Sequence, residues 1–287
     1  MTVMEGQTLD QERALYGMKN GSVIRCRFDG PADGESALKE CAHITVEDCD
    51  FRLRYPLWHV TDAAMTNCRM TETCRAALWY DRDVRIADCH LGGIKALREC
   101  DQITLRDCTA QSTEFGWFCR DVRAENLTLE SEYPFLHSAN LEFENLRLKG
   151  KYSFQYVENA TIRNSVLDTK DAFWHSRNVT VEDSVVKGEY LAWYSEGLHL
   201  TRCKIIGTQP LCYCKGLILE DCEMVDTDLA FELSEVNATV RGSVLSVKNP
   251  LHGRLEIDHI DEIIWDEHQR PEADCVIISD GEAYRRP

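Results

Sequence analysis

The chain is short of positive charge and of long apolar runs. It carries 32 Lys and Arg against 49 Asp and Glu, a formal net charge of −17 over 287 residues. Nucleic acids and anionic membranes both require a basic surface, so neither is expected as a partner. No run of 18 apolar residues occurs, so no helix is expected to span a membrane. The N-terminus, Met1-Thr-Val-Met-Glu-Gly-Gln7, lacks the basic region and apolar stretch of a secretory signal, and a cytoplasmic location is expected. Also missing is the Leu-x-x-Leu-x-Leu pattern with its asparagine ladder, which excludes a leucine-rich repeat.

What is present is a short repeat. Val179-Thr-Val-Glu-Asp-Ser-Val-Val186 has counterparts at Ile103–Ala110, Val122–Leu129, Leu141–Leu148, Ala160–Leu167, Leu198–Ile205 and Leu217–Met224. A phase marker falls at Cys49, Cys68, Cys89, Cys108, Leu127, Leu146, Ser165, Ser184, Cys203, Cys222 and Ser243, with gaps of 19 residues except for two of 21. A looser copy, Val23–Cys26, precedes them. Two alternating apolar residues stand before each marker (Ile44 and Val46, Val179 and Val181) and another two residues after it (Phe51, Val186). Period-two alternation in such short runs reads as half-buried strands, with Asx, Gly, Ser and Thr turns between them. The spacing predicts an all-β, single-stranded parallel β-helix of about 12 turns, three strands to a turn. At ~4.8 Å per turn that makes a rod roughly 55–60 Å long.

The expected organisation is one solenoid domain with an N-terminal cap over 1–22, the coil over 23–253 and C-terminal capping strands over 254–287. Leu9–Leu15 reads as a short helix or irregular cap. The two longer gaps predict bulged turns near Thr71–Arg75 and Leu233–Asn237.

Fourteen cysteines would suggest disulfides or metal, but six are phase markers. Four more (Cys41, Cys100, Cys119, Cys214) stand eight residues before a marker, where other repeats have Ser138, Ser176 or Ser195. A cysteine that alternates with serine by repeat position is a small, stackable core residue. Cys212-Tyr-Cys214 without a second pair is a weak zinc signal. No metal or cofactor is expected, and so many thiols fit a reducing compartment. The Asn-x-Thr sequons at Asn126, Asn159, Asn178 and Asn237 read as turn residues of the repeat.

The third strand carries the functional signal. Trp58, Trp79, Trp117, Trp174 and Trp193 share one repeat position. His59, Tyr80, Phe118, His137, Tyr156, His175, Tyr194 and Tyr213 follow directly, and Leu57, Leu97, Phe135, Phe154, Phe173 and Leu211 precede it. Alternation points the preceding position inward and the tryptophans outward. The opposite phase would make the tryptophans a core ladder without function. An outward row is an aromatic stripe bordered by Arg54, Tyr55, Arg75, Lys95, Arg98, Glu114, Lys170, Asp171, Glu189, Tyr190 and Glu232. Aromatic surface flanked by carboxylates and cations suits sugar rings.

Several segments together resemble an uncharacterised bacterial family of right-handed parallel β-helices in the pectin-lyase-like superfamily. They are Glu12–Gly17, Gly34–Glu40, Tyr55-Pro-Leu-Trp58, Lys170-Asp-Ala-Phe-Trp174, Gly188–Trp193 and Leu229-Ala-Phe-Glu232. The resemblance implies the right hand of the coil and supplies no established activity. The superfamily includes polysaccharide lyases and glycosidases, but their Asn-Thr-Asp, Gly-His-Gly and Arg-Ile-Lys signatures are absent.

Three readings follow, the last being an intracellular enzyme that acts on some other substrate. In the first, an oligosaccharide lies on the stripe, bound by Trp58, Trp79, Trp117, Trp174, Trp193, His59, Tyr80, Lys170, Tyr194 and Glu232. Were that protein an enzyme of the glycoside hydrolase or lyase type, Glu114, Asp171 and Glu189 would supply acid and base, assisted by His175 and Arg98. Inverting glycosidases need carboxyls about 6.5–9.5 Å apart, a separation that carboxyls on adjacent turns can meet. In the second, the stripe docks a partner protein or a second copy of the chain, as aromatic-rich interfaces do.

Overall fold

The computed structural model describes residues 2–286. They form two compact units, Met1–Arg147 and Leu148–Pro287. Each is a stretch of right-handed parallel β-helix with turns of about 19 residues.

In the first unit one side of the coil is built from the strands Thr2–Glu5, Lys19–Ile24, Ala42–Glu47, Thr61–Thr66, Arg82–Ala87, Asp101–Arg106, Arg120–Glu125 and Ala139–Glu144. Each pairs in parallel with the next, so that Ile44 lies over Ala63, Val84 over Ile103 and Val122 over Leu141. In the second unit the strands Glu158–Arg163, Arg177–Glu182, Glu196–Thr201, Leu217–Val225, Glu235–Lys248 and His252–Ile264 stack in the same way. A second side consists of two- to five-residue strands such as Asp50–Phe51 and Val185–Lys187. The third side is a two-residue strand at Leu57–Trp58, Leu78–Trp79 and Leu97–Arg98, joined by a bridge from Arg98 to Trp117.

Corners are made by left-handed residues. Asp48, Asn67, Asp107 and Asn126 have φ of 51–55°, a conformation that short Asx side chains tolerate and support with local hydrogen bonds. Their amides stack into ladders: Asn67 Nδ2 donates to Asp48 Oδ1 (2.6 Å) and Asn126 Nδ2 to Asp107 Oδ1 (2.7 Å). Of the sequon residues Asn126 is such a corner, whereas Asn159, Asn178 and Asn237 lie within strands, the first two with left-handed backbone. Inside, Phe28 stacks on Phe51 with centroids 4.6 Å apart, and Phe154 on Phe173 at 5.3 Å. Phe154 and Phe173 are fully buried yet left-handed, with φ of 59° and 61°. Bulky residues rarely adopt that backbone, and here the burial of two stacked rings offsets its cost.

All fourteen cysteines are free and buried. Their sulfurs take a serine's place in the hydrogen-bond ladder. The Cys49 N–H donates to Cys68 Sγ (3.4 Å) and the Cys68 N–H to Cys89 Sγ (3.2 Å), just as the Ser165 N–H donates to Ser184 Oγ (3.0 Å).

Three expectations are corrected. No helix forms at Leu9–Leu15, nor anywhere among the described residues. Thr8–Leu9 is a strand, and the Arg13, Leu15 and Gly17 N–H groups donate to the Glu35, Ala37 and Lys39 carbonyls of the next turn. A helix would have left those edge groups unpaired. The turns number about 15, not 12, because residues 2–18, 252–264 and 276–279 also stack as coil. The bulged turn at Thr71–Arg75 is present: Leu57 pairs with Leu78, and Cys74 N–H closes onto Thr71 O. The second is absent. Leu219 pairs with Ala238 but Cys222 with Val240, so the coil loses a residue there, and Ser243 is exposed.

Candidate ligand-binding face

The third side repeats a three-residue unit of buried, half-buried and exposed positions. Leu57, Leu78, Leu97, Phe135, Phe154, Phe173 and Leu211 are fully buried, as alternation predicts. Trp58, Trp79, Trp117, Trp174 and Trp193 are half-buried. The residues after them stand furthest out, because they are left-handed: His59, Tyr80, Phe118, His175 and Tyr194 have φ of 54–61°. The strand thus leaves strict alternation, and two consecutive side chains face away from the core.

In the first unit Trp58 and Trp79 stack at 5.4 Å and 9°, with Lys39 Nζ 4.0 Å from the Trp58 ring and Tyr55 tilted against both. The Trp58 indole nitrogen is buried without a hydrogen-bond partner among the described residues. His59 stacks on Tyr80 at 5.0 Å. Arg98 lies 5.6 Å over the Trp117 ring and pairs with Glu99 (3.0 Å), while Glu114 pairs with Lys95 (3.2 Å).

In the second unit Trp174 and Trp193 stack at 5.4 Å and 2°. Each indole N–H donates to a carbonyl of the next turn, Trp174 to Tyr190 O (2.6 Å) and Trp193 to Gln209 O (2.8 Å). Outside them runs an unbroken stack, Tyr156–His175–Tyr194–Tyr213, with centroids 4.9, 5.1 and 4.9 Å apart. Lys170 Nζ holds Glu189 (3.0 Å) and lies 5.1 Å from the Tyr190 ring. Between them Asp171 is buried, 4% exposed, with no side-chain hydrogen bond among the described residues. Burial pushes its carboxyl above the ordinary range, opposed by Lys170 and reinforced by Glu189. Glu232 accepts the Tyr213 hydroxyl (3.2 Å) and pairs with Lys248 (2.9 Å), which also reaches Asp266 (3.4 Å).

Stacking from turn to turn directs the ring faces along the coil and the ring edges outward. Within a stack a ligand meets hydroxyls, imidazole nitrogens and C–H edges, and ring faces are open only where a stack ends. Of the predicted acids and bases, Asp171, Glu189 and His175 belong to the second unit, and Glu114 and Arg98 to the first. Lys248 and Asp266 escape the sequence reading because the coil shortens after Cys222. Ala230 bridges to Val247, 17 residues on, so a 19-residue ruler misplaces everything beyond.

No curated protein matches the chain. Among solved structures it is similar to the A-module of mannuronan C-5 epimerase AlgE4 from Azotobacter vinelandii, with 10% identity, TM-score 0.38, and 83% of this chain and 89% of that one covered. It is similar to the tailspike of E. coli bacteriophage HK620, with 8% identity, TM-score 0.38, and 92% of this chain but 60% of that one covered. It is also similar to an exopolygalacturonase from Thermotoga maritima, with 5% identity, TM-score 0.34, and 98% and 85% covered. Likenesses at this level carry no inference about chemistry. The amino-acid sequence itself matches the family described as protein of unknown function (DUF3737) over residues 2–278, and the chain belongs to that family.

Proposed function

We propose that the protein binds an oligosaccharide laid along the third side of the coil in the second unit. The observation that carries this reading is the stack Tyr156–His175–Tyr194–Tyr213. It presents one polar-tipped aromatic edge per turn, a repeat comparable to the length of one extended pyranose. The half-buried Trp174 and Trp193 and the Lys170–Glu189 pair flank it. Aromatic edges and tyrosine hydroxyls contact sugar C–H groups and hydroxyls without needing a deep pocket. The fourteen free, buried thiols support a reducing compartment as its place of action.

A second reading is favoured by the exposure of Tyr80, Phe118, Tyr156 and Tyr194, which are 40–46% accessible. A second copy of the chain would cover such rings. Tryptophan fluorescence titrated with neutral hexasaccharides, beside sizing by light scattering, separates the two. A saturable change in emission in a monomer, weakened roughly tenfold in His175→Ala, is the expected result. A dimer that dissociates in Tyr194→Ala, with no response to any glycan, would replace sugar binding with self-association.

A further inference from the structure

The aromatic stack of the second unit ends at Tyr213, and what lies past it is an open groove of about 710 Å³. Tyr213, Glu232 and Lys248 line its coil side, and Glu267, His268 and Arg270 line the facing segment. Tyr194 covers one face of Tyr213 and Trp193 meets its ring at 84°. Among the described residues no ring stacks on its second face. Where the stack would continue, the next turn supplies Leu233, which also lines the groove, and Glu232 takes the inner position held by Trp193 two turns before.

The polar groups are arranged in two tiers. The inner tier is fixed: Glu232 and Lys248 are 16% and 19% exposed at their side chains and pair with each other, and Lys248 also binds Asp266. Asp266 is in turn held by Asn249, a fully buried side chain whose Nδ2 donates to it. Gln269, also buried, anchors the facing segment through Nε2 to the Pro250 carbonyl (3.1 Å). The outer tier is free. Glu267 and the Arg270 guanidinium are exposed, and among the described residues neither takes part in an ion pair. Burial and the neighbouring Glu232 push the Tyr213 hydroxyl up to about 12, so it remains a donor at neutral pH.

We infer that this groove receives the terminal residue of the oligosaccharide, and that this residue is a neutral pyranose. The inference rests on the oligosaccharide reading above and adds to it a place, a direction and a ligand class. The apolar wall made by Tyr213 and Leu233 takes the C–H face of the ring. Glu267 accepts from one pair of vicinal hydroxyls, and Arg270 donates through its fork to another. A uronate is disfavoured. Glu232, Asp266 and Glu267 outnumber Lys248 and Arg270, and the chain as a whole carries −17.

The test is calorimetric titration of the full chain with cellohexaose, xylohexaose and mannohexaose, and with hexagalacturonate as the charged control. Variants are Arg270→Ala and Glu267→Gln, both at exposed positions, with Tyr213→Phe, which keeps the ring. The expected result is that at least one neutral hexaose binds and hexagalacturonate does not. Arg270→Ala and Glu267→Gln should each lose roughly tenfold in affinity, with unchanged melting temperature, and Tyr213→Phe should lose little. If a neutral hexaose binds but both groove variants keep wild-type affinity while His175→Ala loses it, the groove assignment falls and the stripe reading stands. Preferential binding of hexagalacturonate overturns the ligand class. If no hexaose binds the wild type, the oligosaccharide reading falls and the groove assignment falls with it.

Discussion

At the scale of single residues, Asp81 breaks the rule of its position. The residues stacked at that point of the repeat include Val60, Cys100, Cys119 and Ser138, all small or apolar and buried. Asp81 is 1% exposed. Its Oδ1 accepts the Val60 N–H (2.7 Å) and its Oδ2 has no partner. Burial therefore drives its carboxyl well above the usual value of 3.8. A group whose folded pKa is raised contributes its full stability below the unfolded pKa and loses it as pH rises towards the folded one. Asp81→Ser, which keeps an acceptor for Val60 as Ser138 does for Cys119, should stabilise the protein by about 1–3 kcal/mol at pH 7. Urea melts of both proteins between pH 4 and pH 8 check this. The gap should widen with pH from about 4 upward, and a gap of constant size would show that Asp81 titrates in the folded protein as it does in the unfolded chain. Asp171 shares the raised direction but sits beside Lys170 and the candidate ligand face. Under the proposed function its protonation bears on the ligand, whereas that of Asp81 belongs to the core.

At the scale of the element, each turn is held by what its neighbours offer to its backbone. Cys68 accepts the Cys49 N–H through Sγ and donates to Thr66 O at 3.2 Å. Serine reproduces both bonds, as Ser184 does, so Cys68→Ser should cost less than about 1 kcal/mol, whereas Cys68→Ala orphans a buried N–H and should cost about 1–3 kcal/mol. Chemical denaturation of the two variants decides the point, and equal costs would mean that the cysteines contribute by volume alone. This equivalence was readable from the sequence because serine and cysteine interchange at fixed spacing. The inward direction of Phe154 and Phe173 was readable in the same way, from alternation. The outward direction of both the tryptophans and the residues after them was only half readable. Alternation places one side chain out and the next one in, but a left-handed residue such as His175 puts two in succession outside. Left-handed backbone at His, Tyr and Phe has no local sequence signature, since it is imposed by pairing with the turns on either side.

At the scale of the whole molecule, the 19-residue period revealed the coil because stacked turns can bury their apolar residues only in register. The same ruler failed where the register itself shifts, past Leu219, so Lys248, Asp266 and the groove lay outside its reach. One consequence belongs to the molecule entire. Fourteen thiols, all buried and free, sit in a chain whose turns depend on one another. Desolvation holds most of them in the thiol form, with Cys41, Cys108 and Cys214 pushed up to about 11 and Cys74 and Cys275 to about 12. Cys49, Cys89 and Cys222 are instead lowered by the hydrogen bond of a neighbouring cysteine, but all fourteen are buried from reagent, so the native protein should leave its thiols essentially unreactive towards Ellman's reagent at pH 8. Because a solenoid loses its core turn by turn outward from a break, urea should release the thiols in groups of neighbours: the nine from Cys26 to Cys119 as one set, and Cys203, Cys212, Cys214, Cys222 and Cys275 as another. Mass spectrometry of pulse-labelled protein across the urea transition would show this as two labelled populations. Release of all fourteen in a single step would instead make the two units one cooperative structure.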